Sequence, residues 1–190
     1  MNAIIRKLSP SAADMIRADH TRVLASFHRY SLASSPRVKR GLVDTICLSL
    51  EVHAQIEEEI FYPAMRQAGS ALVKELIPGH EEMRRLIAML RDMDAGDPQF
   101  DQTFMELMRD VMHHVADEET ILLTHAESIL GDRLRELGAQ MMRRRVRLAA
   151  PRAGEMARNT ARAGSPNAML IAAGALLAGA LITRRRRRPG

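Results

Sequence analysis

Tryptophan is absent from the 190 residues, and aromatic side chains make up only 3% of them. Leu, Met, Ala and Ile supply most of the 46% hydrophobic content, with few β-branched runs, and that composition leans toward helix. Cys47 is the single cysteine, so an internal disulfide is excluded, which fits a reducing compartment. At helical spacing Cys47 falls beside the apolar face of its segment, as an inert buried thiol does. Arg6 and Lys7 are not followed by an apolar run, so no signal-peptide pattern opens the chain. A nucleophile triad, a phosphate-cradling glycine loop and a second carboxylate cluster are all missing. That argues against an organic substrate.

Charge is unevenly spread. Residues 1–130 carry 14 Lys/Arg against 20 Asp/Glu, a net of −6, and residues 131–190 carry 14 against 3, a net of +11. The overall +5 therefore belongs to the C-terminal part, and any anionic partner would meet the protein there.

Apolar periodicity predicts a run of helices. The first starts after Ser9, an expected N-cap with Pro10 at the first helical position, and runs to about Ser31. Ile16, His20, Val23, Leu24 and Phe27 share its inner face. A second runs from Pro36 to about Gln67, with Leu50, His53, Glu57, Ile60, Phe61 and Ala64 inward, and Pro63 is expected to bend its last turn. A third runs from about Ala71 to Met93 with His80 inward and a kink or restart expected at Pro78-Gly79. A fourth runs from about Phe100 to Ile129 with Leu107, Val111, His114, Glu118, Ile121 and Leu122 inward. A shorter amphipathic helix covers about Asp132 to Leu148. Short connections make an all-α, up-down-up-down four-helix bundle the natural arrangement, with this fifth helix appended.

Two strings stand out on that frame: His53-Ala-Gln-Ile-Glu57 and His114-Val-Ala-Asp-Glu118. On a helix, residues four apart sit one turn above each other on one face, so each string offers an imidazole and a carboxylate together. A weak internal repeat supports pairing them. His20 and His53 are 33 residues apart, and His80 and His114 are 34 apart. Each half is a helix with one inward His, followed by a helix with an inward His-x-x-x-Glu.

All six residues, His20, His53, Glu57, His80, His114 and Glu118, lie on the apolar stripe of their helices and near mid-helix. An unpaired polar group would be costly there, and mid-helix positions of an antiparallel bundle meet in one layer. Four imidazoles and two carboxylates suit iron, manganese or zinc. Helical phase separates near neighbours: the stripe of the fourth helix is centred about 40° from His114 and about 140° from His113. The same phase sends Glu58, Glu59 and Glu119 outward. His28 reads as structural or exposed. His125 is inward but about 16 Å along the helix from His114, too far to join.

The order His, His-x-x-x-Glu, His, His-x-x-x-Glu resembles the hemerythrin-like (HHE cation-binding) domain family over roughly residues 10–148, and the strings 53–63 and 113–119 are close to that family's phrasing. The resemblance implies a non-haem centre of two iron ions, bridged by Glu57 and Glu118, with His20, His53, His80 and His114 as terminal ligands. Oxygen-carrying hemerythrins have two His one turn apart on the third helix. Here Arg84 stands four residues after His80, and a guanidinium that stays protonated cannot ligate iron. Water or another oxygen donor would complete that position. The departure favours a protein that senses, binds or buffers oxygen, nitric oxide or redox state over an oxygen carrier. The alternative is a di-iron enzyme of peroxidase or iron-delivery and cluster-repair type. The partner at iron would be a small diatomic molecule or peroxide.

The chain divides into a metal-binding bundle with its appended helix (1–148), a basic linker (149–165) and a C-terminal segment (166–190). In the last, residues 168–183 are uncharged and apolar, near the short end for a membrane span, and Arg184 to Arg188 follow. A membrane-anchoring hydrophobic helix is expected there, contacting lipid, with the bundle on the cytoplasmic side. Nucleic acid is not expected as a partner, because no aromatic residue interleaves the basic run.

Overall fold

A computed structural model describes residues 10–164, and among them the secondary structure is entirely helical. α1 spans Ala12–Phe27 and α2 spans Pro36–Ile56. A π-helical turn, Glu57–Phe61, continues α2 into α3, Tyr62–Gln67. α4 is Val73–Asp92. α5, Pro98–Asp117, runs through a second π-helical turn, Glu118–Leu122, into α6, Leu123–Leu130. α7 is Arg133–Ala149. A 3₁₀ turn, Ala150–Arg152, leads to α8, Ala153–Arg162.

The ends of these helices follow from local chemistry. α1 is capped by Ser11 rather than Ser9: its side chain accepts from the Asp14 amide, and the Asp14 carboxylate accepts from the Ser11 amide at 3.0 Å. Ser9 has Ala12 three residues on, which cannot return that bond. Ser35 and Asp97 cap α2 and α5, each followed by Pro at the first helical position. α4 passes through Pro78 and Gly79 without the expected restart. The carbonyl that Pro78 leaves without a donor belongs to Lys74, an exposed residue, where water can take the donor's place.

The interior is a helical bundle with a small apolar cluster under α8, Leu48 with Met156, and two large ones. One gathers Val23, Phe27, Leu50, Leu86, Leu90, Phe100 and Phe104. The other gathers Ile16, Ile56, Phe61, Val73, Leu76, Leu122 and Leu123, with Leu134, Leu137 and Met141 of α7. Each of four helical runs crosses from one cluster to the other. α1 gives Ile16 to one and Val23 to the other, with His20 between. The α2 run gives Leu50 and Phe61, α4 gives Leu76 and Met83, and the α5 run gives Val111 and Leu122. The histidines and glutamates singled out above all fall between these pairs.

α7 packs along α1 and α8 along α2. Residues 149–165, expected to be a linker, thus hold a docked helix. Met156, Asn159 and Thr160 form its buried stripe, a short amphipathic pattern hidden within an Arg- and Ala-rich composition. Gly41 permits the approach: a Cβ there would sit 2.6 Å from the Ala163 nitrogen and the Asn159 oxygen. None of the described helices is long and apolar enough to cross a membrane, and the apolar segment expected at 166–190 lies outside the described residues.

Candidate metal centre

Between the two clusters lies a layer of buried polar groups. His20 is 3% exposed, His53 6%, His80 1%, and Glu57 and Glu118 are 0% exposed; the His114 side chain is 10% exposed. Their inner atoms converge. His53 Nε2 is 3.2 Å from Glu57 Oε1, and His80 Nε2 is 3.4 Å from Glu57 Oε2. His20 Nε2 is 3.2 Å and His114 Nε2 3.8 Å from Glu118 Oε2. His80 and His114 bring their Nε2 atoms to 3.1 Å. His113 is exposed and takes no part.

The outward carboxylates decide which nitrogen faces in. His20 Nδ1 donates to Glu119 Oε1 at 2.9 Å, and His80 Nδ1 donates to Glu58 Oε1 at 2.9 Å. With the proton on Nδ1, the neutral His80 imidazole presents its Nε2 lone pair to the layer, and His20 does the same once a cation displaces its Nε2 proton. His53 Nδ1 faces Asp19 Oδ2 at 3.6 Å, a longer approach of the same kind. Arg84, one turn after His80 on α4, holds the other oxygen of Glu58 at 2.5 Å.

Both His-x-x-x-Glu strings end in a π-helical turn that begins at the Glu, closed by the Tyr62 amide donating to the Glu57 carbonyl and the Leu123 amide donating to the Glu118 carbonyl. Pro63 follows the first turn but nothing comparable follows the second, so proline is not the shared cause. The wider turn changes the register beyond each Glu. Leu122 is fully buried as expected, but Ile121, also expected inward, is 51% exposed, and Leu123 is fully buried in its stead. Ile60 is half-buried, and Tyr62 turns inward at 0% exposure.

Tyr62 is a member of the layer that the 3.6-residue period conceals, since five residues beyond Glu57 would point well away from it in an α-helix. Its hydroxyl oxygen is 3.3 Å from Glu118 Oε1 and 3.4 Å from both Glu57 Oε2 and His80 Nε2. Its ring stacks on His80 with centroids 5.5 Å apart and planes 17° from parallel.

Burial and like charge shape the protonation of this layer. Burial and the neighbouring Glu118 push Glu57 up to about 8. Burial opposes ionisation of Glu118 too, but the approach of His20 and the other imidazoles holds it below the usual carboxylate range. Burial would lower His20, yet the Glu118 and Glu57 charges raise it to about 9. Burial dominates for His80, which is lowered, and for His114, lowered to about 3, so these two imidazoles stay neutral.

The donor set fits cations. His20 Nε2, Glu57 Oε1 and Glu118 Oε2 are buried without a hydrogen-bond partner, although each lies near another donor atom of the layer. The atoms of His53, Glu57, His80 and His114 lie within 4.8 Å of one another, as do those of His20, His53, Glu57 and Glu118. Each group mixes imidazole nitrogen with carboxylate oxygen, and the two share His53 and Glu57. Unpaired buried acceptors are expensive, and a cation satisfies several at once.

The family model for the hemerythrin HHE cation binding domain matches residues 11–126. The chain belongs to that family. Over 110 residues this HHE protein is 32% identical to a protein of Nostoc sp. (strain PCC 7120 / SAG 25.82 / UTEX 2576) named DNA nickase, a match that covers 57% of this chain and 31% of the Nostoc protein. The chain thus spans about a third of the length of that curated relative. No solved structure gives a significant match. The family match ends before α7, so α7 and α8 are additions to the matched domain.

Two further residues of this region escaped the sequence pattern. Asp19, adjacent to His20, is buried against His53. Arg145 of α7 is 6% exposed and paired with Asp19. Helical phase is the signal that could have found it: Arg145 stands one turn after Met141 on the stripe of Leu134, Leu137 and Met141.

Proposed function

We propose that this HHE-family protein holds two non-haem iron ions in the His/Glu layer and uses them to sense, bind or buffer oxygen, nitric oxide or redox state. The reading takes α1, α2, α4 and α5 as an up-down-up-down bundle, with Glu57 and Glu118 bridging the ions and His20, His53, His80 and His114 as terminal ligands. The observation that carries it is the convergence of four imidazole nitrogens and two buried carboxylates in two groups that share His53 and Glu57. Iron in such surroundings supplies a centre that binds small oxidants or diatomics and changes oxidation state.

The protein's own groups would do the rest. Glu58 and Glu119 hold the His80 and His20 tautomers. Tyr62 offers a hydroxyl to the bridging carboxylates, or an oxygen donor on the side where Arg84 replaces a histidine. The apolar clusters on either side keep bulk water away.

Small ligands are favoured by the space available. A cavity of about 10 Å³ lies against His20, His53 and His114. A larger one, about 70 Å³, shares Asp19, Val23 and His53 with it and runs under α7 and α8. Neither is roomy enough for a sizeable organic substrate. The apolar segment at 166–190, with its Arg-rich end, would tether the protein to a membrane. The activity named for the Nostoc protein belongs to a much longer chain and is not carried over.

Metal analysis of protein purified under reducing, anaerobic conditions, with optical spectra before and after oxygen, tests the proposal. Two irons per chain are expected. His114→Ala and Glu57→Ala should each lower that content, and His113→Ala should leave it unchanged. Iron-free protein after reconstitution with ferrous ion would overturn the reading.

A further inference from the structure

α7 lies outside the family-matched span yet reaches the metal layer. Its Arg145 guanidinium is buried and paired with Asp19 Oδ2. That same oxygen faces His53 Nδ1 at 3.6 Å, and the other oxygen of Asp19 accepts from Arg22 at 2.6 Å. The opposite nitrogen of His53 is the one 3.2 Å from Glu57. A continuous path, Arg145–Asp19–His53–Glu57, thus runs from α7 into the centre of the layer.

The two other outward carboxylates, Glu58 and Glu119, are more open. Glu58 is partnered by Arg84, whose side chain is 43% exposed, whereas the Arg145 side chain is 8% exposed. α7 is held closely where this happens. Arg144 donates to both oxygens of Glu59, at 2.5 and 2.8 Å, on the π-helical turn that begins at Glu57. Gly138 lets α7 close on the backbone of Pro10 and Ser11, where a Cβ would collide. A guanidinium buried at such a spot is costly unless paired, and its planar fork fixes the carboxylate it holds.

We infer that Arg145 is a positioning residue for the metal centre: through Asp19 it orients His53, so that docking of α7 and cation binding in the layer reinforce each other. This rests on the metal centre proposed above. Coupling of this kind is reciprocal: what α7 does for the cation, the cation does for α7.

The test measures ferrous-ion affinity anaerobically, by competition with a chromophoric chelator, for the full chain and for R145M, D19N and the double variant. Loss of a group that orients a ligating histidine typically costs about 10- to 100-fold in metal affinity. R145M is expected to lose about tenfold. The double variant is expected to lose no more than D19N alone, because the two residues act in series. Wild-type affinity in R145M, with helicity intact by circular dichroism, overturns the inference. So do losses that multiply in the double variant.

A second measurement needs no variant and holds if R145M does not fold. Hydrogen exchange of the wild-type chain, read by mass spectrometry, should slow at residues 141–149 when ferrous ion is added. Slowing confined to 53–57 and 114–118 overturns the inference. A wild-type chain that binds no ferrous ion overturns the metal centre itself, and this inference with it.

Discussion

His80 Nδ1 lies 2.9 Å from Glu58 Oε1, and that contact turns the Nε2 of His80 toward Glu57, Tyr62 and His114. Glu58 thereby influences the centre without entering it. Glu58→Ala should lower ferrous-ion affinity by about 10- to 100-fold while leaving the six layer residues in place. Arg84→Ala, which frees Glu58 without removing it, should cost less. Chelator competition on both variants checks the order.

Glu57 should show opposite effects on stability and on metal binding. Its folded-state pKa is raised to about 8 by burial and by Glu118, while in the unfolded chain it ionises near the ordinary carboxylate value. The metal-free fold therefore carries a penalty that begins above that ordinary value, grows as pH rises, and levels off near the folded value. Glutamine has no such penalty. Glu57→Gln should raise metal-free stability at pH 8 by about 1–3 kcal/mol, seen as a higher melting temperature, while iron content falls.

Val23 is 6% exposed and lines both cavities beside His53. Val23→Phe should narrow their shared wall. Stopped-flow mixing of the reduced, iron-loaded protein with oxygen or nitric oxide should show a severalfold slower spectral change at unchanged iron content. Overpacking should cost about 1–3 kcal/mol of stability. An unaltered rate would place the ligand's route elsewhere.

Far from the centre, Asp101 of α5 ties together α2 and the loop that follows α1. Burial opposes its charge, but Lys39 donates to both of its oxygens at 2.8 and 2.7 Å and Tyr30 donates as well, so its pKa is lowered. A depressed folded-state pKa contributes stability above the unfolded value, and that contribution is lost as pH falls through the folded one. Asp101→Asn should cost about 1–3 kcal/mol at pH 7. The difference from wild type should fade as pH falls below about 4. Urea melts at several pH values follow it.

The helical class, the depth of the layer and the choice of His114 over His113 were legible because apolar residues recur with the helical period and charged ones on the same stripe stand out. The period fails where the helix does. A π-helical turn after Glu57 and another after Glu118 shift the register, which exposes Ile121 and brings in Tyr62. Buried charge is hard to read for a different reason. Arg145 and Asp19 pair across 126 residues of sequence, and neither local pattern nor composition connects them. α8 was hidden by its own composition: three buried side chains sit among arginines and alanines that resemble a linker.

The two large apolar clusters lie on either side of a polar slab, and that has a bearing on cooperativity. Hydrophobic attraction ties together residues within each block, but across the slab it is interrupted by histidine and glutamate. The four helical runs that cross the slab supply backbone continuity. The energetic bond between the blocks therefore depends on how well the polar groups of the slab satisfy one another. Such a protein can behave as two partly independent folding units when that plane is poorly matched, and as one when it is well matched. A change of a single charge in the slab would then be read out as a change in how firmly one half of the molecule grips the other.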